Sequence, residues 1–171
     1  MLLGKSQRPN ASLIEKNDDA SLVLLLIQGR YLEAYQLVSQ QPENLANLYN
    51  KALCLYFAEL PDTALLLLDQ AFALTSNQLK EIPSADSAIL AKIKAMQGKN
   101  KDYLQPINQF YTDHFPLQVW DNLWRIKIDC LVQLEQWDEI LLHVPKLIEK
   151  HHYQNINQAI ALAQQNKKES E

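Results

Sequence analysis

Glycine is scarce in this chain of 171 residues. Three glycines occur, Gly4, Gly29 and Gly98, whereas average usage of about 7% would give roughly twelve. Folds with many tight β-turns, and loops that cradle phosphate groups, both depend on glycine for backbone conformations that other residues adopt only at a cost. The shortage therefore argues against many-turned β architectures and against glycine-rich nucleotide loops.

Cysteines and long apolar runs are also few. Cys54 and Cys130 lie far apart inside apolar helical patterns, so they form neither a CxxC pair nor a disulfide framework, and we interpret them as buried thiols. The apolar runs, such as those at 22–27 and 64–68, are much shorter than the roughly 18 residues of a membrane span. The first residues carry no apolar stretch of signal-peptide length. We therefore expect a cytoplasmic protein without a membrane span.

The chain lacks the basic charge of a general nucleic-acid binder. Sixteen Lys and Arg stand against twenty Asp and Glu, a net charge of -4, whereas nucleic-acid binding surfaces are rich in Lys and Arg. The GxSxG, P-loop and GxGxxG patterns are missing. His143, His151 and His152 do not have the spacing of metal ligands on a helix. We expect no enzyme activity, no metal, no cofactor and no nucleic-acid partner.

The residues that are present favour helices. Apolar residues make up 47% of the chain, and they recur at helical spacing nearly everywhere, with no sustained strand alternation. Proline and glycine separate the helices, and Pro106 and Pro145 should kink or shift the helices that contain them. The pattern predicts a flexible arm at 1–17, a single helical domain at 18–165 and a polar tail at 166–171. The predicted helices are 18–28, 31–41, 44–59, 61–75, 86–97, 101–114, 116–134, 137–150 and 154–165.

A repeat runs through these helices. Predicted tight turns at Gly29, Glu59, Gly98 and Glu135 follow one another at spacings of 30, 39 and 37 residues. Four positions were compared around each turn, one seven residues before it and three at five, nine and twelve residues after it. Fifteen of the sixteen residues at these positions are apolar, about twice the number expected by chance. Self-similarity at this period predicts stacked helix pairs.

The second repeat, 44–76, carries a resemblance to a known family. It has a large, small, small, large, small pattern at Leu48, Ala52, Ala64, Leu68 and Ala71. Small residues at such points let two helices approach closely while larger neighbours fill the grooves. This pattern resembles the tetratricopeptide repeat (TPR), most closely over residues 20–76. The resemblance implies an all-α fold of antiparallel helix hairpins stacked as a short right-handed solenoid.

The resemblance also implies a binding surface. In that family the first helix of each pair lines a concave groove. The corresponding residues here are Val23, Leu26, Ile27, Tyr49, Leu53, Tyr56, Phe57, Met96 and Arg125. We call these the predicted groove residues. An apolar and aromatic groove of this kind suits an amphipathic helix or an apolar peptide of a partner protein.

The sequence therefore favours a non-enzymatic protein–protein interaction module. One alternative is a small secretion or assembly chaperone that shields a hydrophobic segment of its partner. An alternative of a different class is a helical enzyme or a small-ligand-binding domain, which a closed cavity lined by three or more ionisable groups would favour. Full burial of Tyr49, Tyr56 and Phe57 within one chain would contradict the groove.

Two apolar features leave alternatives open. The first helix is apolar on all sides over residues 22–27, and such a helix must be covered all round. Either the N-terminal arm folds back over it, or another chain covers it, for example in a homodimer. Trp120, Trp124 and Trp137 are interpreted mainly as a hydrophobic cluster, with a stacking platform for bases as the alternative.

Overall fold

The computed structural model describes residues 20–75, 88–148 and 152–170. These residues form helices joined by turns and short links, and no strand occurs among them, which confirms the all-α class. The predicted arm at 1–17 lies outside the described residues. The helices are α1 (20–27), α2 (Tyr31–Ser39), α3 (Leu45–Phe57), α4 (Pro61–Thr75), α5 (Ala88–Gln97), α6 (Gln109–His114), α7 (Pro116–Gln133), α8 (Trp137–His143) and α9 (Gln154–Ser170), with 3₁₀ turns at Asp102–Leu104 and Val144–Lys146.

One turn type closes three helix hairpins, α1–α2, α3–α4 and α7–α8. In each, a backbone N–H just after the first helix donates to a carbonyl five residues earlier. These bonds are Arg30 to Leu25 at 2.9 Å, Leu60 to Leu55 at 3.0 Å and Gln136 to Leu131 at 2.9 Å. The preceding residue donates to the carbonyl three residues back, also in all three turns. This pair of bonds is the Schellman motif, which satisfies the last carbonyls of a helix.

The Schellman motif requires a left-handed residue at its centre. Gly29 has φ +71, Glu59 has φ +58 and Glu135 has φ +55. Only glycine adopts this conformation without a steric penalty from Cβ. The two glutamates therefore hold a conformation that is unfavourable for them, and the hairpins around them must outweigh that cost. Three of the four predicted turns thus share one backbone geometry.

Prolines explain where the helices differ from the predicted ones. The predicted helix at 101–114 is wrong over its first half, because Pro106 lacks an N–H and forces the preceding Gln105 to be extended (φ -97, ψ 145). Only residues Gln109–His114 form an α-helix there, and Asn108 caps it by accepting from the Tyr111 N–H at 2.9 Å. The predicted helix at 137–150 ends at His143, and a 3₁₀ turn that contains Pro145 follows.

The last helix is longer than the sequence pattern predicts. α9 continues to Ser170, so residues 166–170 extend the helix instead of forming a separate polar tail. No helix breaker occurs between 154 and 170. Lys167 and Lys168 lie in the final turn, where positive charge opposes the partial negative charge of the helix C-terminus.

The helices pack in a definite order. α2 packs on α3, α3 on α4, α4 directly on α7, and α9 on both α7 and α8. The hairpin α7–α8 therefore follows α3–α4 in the stack. The 3₁₀ turn Asp102–Leu104 contacts α7, and α6 contacts both α3 and α7. The third predicted helix pair is thus not a further hairpin between α4 and α7.

Small residues make the close helix contacts that the sequence predicts. Ala52, Ala64 and Ala71 are fully buried in the cluster shared by α3, α4 and α7, where a larger side chain would force the helices apart. A second cluster joins α7, α8 and α9, and a third joins α1, α2 and α3. Cys54 and Cys130 are free and buried, and burial raises the pKa of each thiol to about 12. This confirms their interpretation as buried thiols.

The left-handed glutamates generate a stability prediction. Replacing Glu59 or Glu135 by glycine should raise the free energy of unfolding by about 1 kcal/mol each, because the Cβ that opposes positive φ is removed. Chemical denaturation measures the change. Ala58→Gly is the matched control, since Ala58 is the neighbouring residue with φ -83, and its substitution should lower stability by roughly 0.5–1 kcal/mol. Equal losses in all three variants would contradict the argument.

Candidate functional site

The chain covers its own predicted groove. The Tyr49 hydroxyl of α3 donates to the carbonyl oxygen of Tyr103. One helical position on, the Asn50 side chain binds both backbone groups of Ile107, with Nδ2 donating to the carbonyl at 2.7 Å and Oδ1 accepting from the N–H at 2.9 Å. A side-chain amide can satisfy a donor and an acceptor together. Asn50 therefore fixes the segment 105–108 against α3.

Four of the predicted groove residues are buried, which corrects their assignment to an open surface. Tyr49 and Leu53 have no exposed surface, Leu26 is 8% exposed and Arg125 is 2% exposed. Tyr49 and Leu53 belong to the cluster that also contains Tyr103, and Leu26 packs with α2. These four side chains are core residues, and none of them forms an open surface for a partner.

The remaining predicted groove residues divide into two groups. Tyr56 and Phe57 are partly buried. The Phe57 ring stacks on Tyr31, with centroids 5.0 Å apart, and meets Tyr56 edge-on at 5.5 Å. Val23 is 38%, Ile27 70% and Met96 67% exposed. Burial of Tyr49, Tyr56 and Phe57 together would contradict the groove. Only Tyr49 is fully buried.

An apolar cleft lies beside α1. Its volume is about 190 Å³, and it is lined by Leu22, Val23, Pro106, Ile107, Asn108 and Tyr111. We call it the α1 cleft. Ile27 follows Val23 by four residues, so both lie on one face of α1. The α1 cleft and this face together form an apolar surface at the end of the stack.

Arg125 lies at the centre of a buried polar cluster between α7, the turn after α5 and the start of α9. Its guanidinium donates through Nη1 to Asp102 Oδ1 at 2.8 Å, through Nη2 to the Asn100 carbonyl at 2.8 Å and through Nε to Asn155 Oδ1 at 3.2 Å. These bonds join α7 to the turn after α5 and to the start of α9. A buried charge is stable only when it is paired and hydrogen-bonded. One side chain therefore fixes three segments.

Two aromatic rings enclose the same guanidinium. Arg125 Cζ lies 3.9 Å from the Tyr103 ring centre and 4.4 Å from the Tyr153 ring centre, within cation–π range. The Tyr103 hydroxyl also donates to Asp129, which accepts from Asn155 Nδ2 at 2.9 Å as well. Burial raises the pKa of the Asp129 carboxyl, while these hydrogen bonds and Arg125 oppose the rise.

A polar cavity of about 100 Å³ adjoins this cluster. Its ionisable lining includes Asp102, Tyr111, Asp121, Arg125, His152 and Tyr153. Asp121 is 1% exposed, and its carboxylate accepts from the Ile148 N–H at 2.8 Å and from the Tyr153 hydroxyl at 2.7 Å. Its carboxylate and the Arg125 guanidinium both hold other parts of the chain in place.

The tryptophans form a packed cluster with α4 and α8. The Trp124 ring lies 4.3 Å from Phe72 and 5.9 Å from Trp120, and Trp124 is 5% exposed. Trp137 packs against the same cluster. The interpretation as a hydrophobic cluster fits this burial, whereas a stacking platform for bases needs open ring faces.

His143 lies at the edge of the tryptophan cluster as a neutral imidazole. Lys146 Nζ donates to Nδ1 at 3.0 Å, so Nε2 carries the proton and donates to Glu139 at 3.1 Å. The ring centre is 5.1 Å from that of Trp124. Burial lowers the pKa of His143, and the positive charges of Lys146 and Lys127 lower it further, against smaller opposing effects of Glu139 and Asp69.

Of the polar cluster only Arg125 is among the predicted groove residues, although the sequence carries a signal for more of it. Asp121, Arg125 and Asp129 recur every four residues, which places them on one face of α7. The rest of that helix is largely apolar. A charged stripe along an otherwise apolar helix indicates a buried polar network. Its partners Asp102, Tyr153 and Asn155 carry no comparable signal.

Comparison with known proteins adds no assignment. No protein family, no curated protein and no solved structure matches the chain. Within residues 20–75, 88–148 and 152–170, no three His, Cys, Asp or Glu side chains are grouped so that they could hold a metal ion. None of the helices in those ranges has the length and apolar character needed to cross a bilayer.

The Arg125 cluster generates a stability prediction. Arg125→Met keeps much of the side-chain volume but removes three hydrogen bonds and the contact with two rings, so it should lower the free energy of unfolding by about 3 kcal/mol. The Asp102 side chain is 44% exposed, so water can solvate its carboxylate once Arg125 is removed. The loss of stability should therefore stay near about 3 kcal/mol, the low end for breaking a buried ion pair. Urea denaturation measures it. Arg30→Met, at an exposed pair with Glu33, is the control and should change stability little. Equal stability of the two variants would refute the role of Arg125.

His143 generates a pH prediction. Because its folded-state pKa lies below the ordinary value of 6.5, the unfolded chain binds a proton more readily, and His143 contributes less stability as the pH falls through that value. His143→Gln preserves a donor and an acceptor but does not titrate. The wild type should therefore lose more stability than this variant between pH 7.5 and 5.5, measured by urea denaturation. Between pH 8.5 and 7.5 the free energies of unfolding of the wild type and the variant should change in parallel. Parallel curves throughout would show that His143 is not responsible.

Proposed function

We propose that this chain is a non-enzymatic protein–protein interaction module that binds an amphipathic helix or apolar peptide at α1. The observation that carries the proposal is the apolar surface formed by the α1 cleft and by Ile27, which is 70% exposed. This surface differs from the predicted groove, because the chain segment that contains Tyr103 and Ile107 covers Tyr49 and Asn50 of α3. The proposed binding surface therefore lies at α1, at the end of the stack, instead of along α3.

The energetics favour association through this surface. Leu24 is 55% exposed and Val23 38% exposed, and with Ile27 they follow helical spacing. Fully burying one such side chain is worth roughly 1.5–3 kcal/mol. Two or three anchors at this spacing match an amphipathic helix laid against α1, or an apolar peptide entering the α1 cleft.

The array itself is proposed to be a short right-handed solenoid related to tetratricopeptide repeats. The three Schellman turns and the buried alanines of α3 and α4 support this relation. The segment between α4 and α7 departs from it. Such arrays present extended surfaces for other proteins, which agrees with an interaction role.

A small-ligand-binding domain is the second candidate. The polar cavity beside Arg125 favours it, because several ionisable side chains line one enclosed space. It ranks second because Arg125 and Asp121 are bonded to other segments of the chain. These bonds explain both side chains as structural groups.

The peptide proposal is tested by selecting binders and then changing α1. Random peptides displayed on phage are selected against the native protein, and the dissociation constants of the enriched peptides are measured by fluorescence anisotropy. We expect the enriched peptides to be apolar. Ile27→Asp should weaken their binding about tenfold or more, because a charge replaces an apolar side chain that the bound peptide would bury. Leu142→Asp is the matched control, at 62% exposure on α8, and should change binding less than about twofold.

Two outcomes would overturn this assignment. Peptides that bind Ile27→Asp as tightly as the wild type would place the site elsewhere. Light scattering on the same proteins tests the homodimer: a wild-type dimer that Ile27→Asp converts to a monomer would assign the surface to a second copy of the chain instead.

A further inference from the structure

An open groove lies between the turn that follows α5 and the first two turns of α9. It consists of two adjoining cavities of about 290 and 510 Å³, which share Lys99, Gln154 and Gln158 in their walls. We call it the Lys99 groove. Its size falls in the range of small-molecule sites. It lies apart from the α1 cleft, whose lining residues are all different.

Positive charge converges on the Lys99 groove. Lys99, Lys101 and Arg125 line its smaller cavity, and the described lining of both cavities contains no carboxylate. Lys99 and Lys101 are exposed. No ion pair or side-chain hydrogen bond joins either ammonium group to another residue in the described part of the chain. Both are therefore available to a ligand.

The nearby acids compensate the charge of Arg125, but no ion pair joins either of them to Lys99 or Lys101. Asp102 binds Arg125 Nη1 and lines the polar cavity on the other side of the guanidinium. Asp129 is held by Tyr103 and Asn155. Its positive neighbours Arg125 and Lys101 lower its pKa, although burial raises it more. Arg125 is therefore already paired, and the two lysines supply both the charge and the contacts.

Side-chain amides complete the wall. Gln154 and Gln158 lie four residues apart on α9, so both face the groove from one side of the helix. Each amide offers two N–H donors. Ammonium groups on one wall and amide donors on the other are complementary to oxygen anions, since charge-assisted hydrogen bonds to phosphate or carboxylate are the stronger kind.

We propose that the Lys99 groove binds a small ligand that carries two or more oxyanion charges, as phosphate or carboxylate groups. Lys99 and Lys101 bind the charged oxygens, and Gln154 and Gln158 donate from the opposite wall. The proposal goes beyond peptide binding at α1 and does not depend on it, since the two surfaces share no residue.

Titration calorimetry of the full chain with pyrophosphate, and separately with citrate, tests the proposal at constant ionic strength. We expect saturable binding of one ligand per chain. The double variant Lys99→Gln/Lys101→Gln should weaken it about tenfold or more. The matched control, Lys167→Gln/Lys168→Gln on the last turn of α9, makes the same change in net charge and should alter affinity less than about twofold. Tighter pyrophosphate binding assigns phosphate chemistry, and tighter citrate binding assigns carboxylate chemistry.

Two results would overturn it. The first is no saturable binding of either anion by the wild type. The second is an equal loss in both double variants, which would show a response to net charge instead of a site. A cooperative thermal transition of each variant above the temperature of the titration confirms that the comparison is between folded proteins.

Discussion

The burial of the Arg125 guanidinium is the constraint on which much of this structure depends. A charge that is 2% exposed must find hydrogen-bond acceptors inside the protein, because water no longer solvates it. Its acceptors come from the turn after α5 and from the start of α9. Two tyrosine rings enclose it. Satisfying this one side chain thus fixes segments that are far apart in sequence.

This constraint also decides which surfaces remain for partners. Tyr103, held against Arg125, brings the following segment over α3, where Asn50 binds Ile107. The face that a tetratricopeptide-like array would leave open is therefore interior at Tyr49 and Leu53. The α1 face is apolar and exposed, and two exposed lysines line the Lys99 groove. Both proposed sites are consequences of where the chain places its own segment 100–108.

Much of the fold was readable from local patterns. Turn positions at Gly29, Glu59 and Glu135, the alanines of α3 and α4, and the disruption at Pro106 all follow from residue spacing and backbone chemistry over a few residues. The candidate site was predicted less well. Val23 and Ile27 are exposed as expected, whereas Tyr49, Leu53 and Arg125 are buried, since their covering partners lie 20 to 50 or more residues away. A single sequence carries no signal for such pairings.

The sequence by itself determined an all-α chain of hairpins with its helix ends largely in place, because hydrogen bonds within a helix and its caps depend on neighbouring residues. Only the tertiary structure decided that α4 packs directly on α7, that the intervening segment covers Tyr49 and Asn50, and which segments supply the partners of the charged stripe on α7. The physical reason is that burial of a polar or charged side chain depends on the partners that satisfy it. For Arg125 those partners are a carboxylate, a backbone carbonyl and an amide, and only the folded chain brings them together.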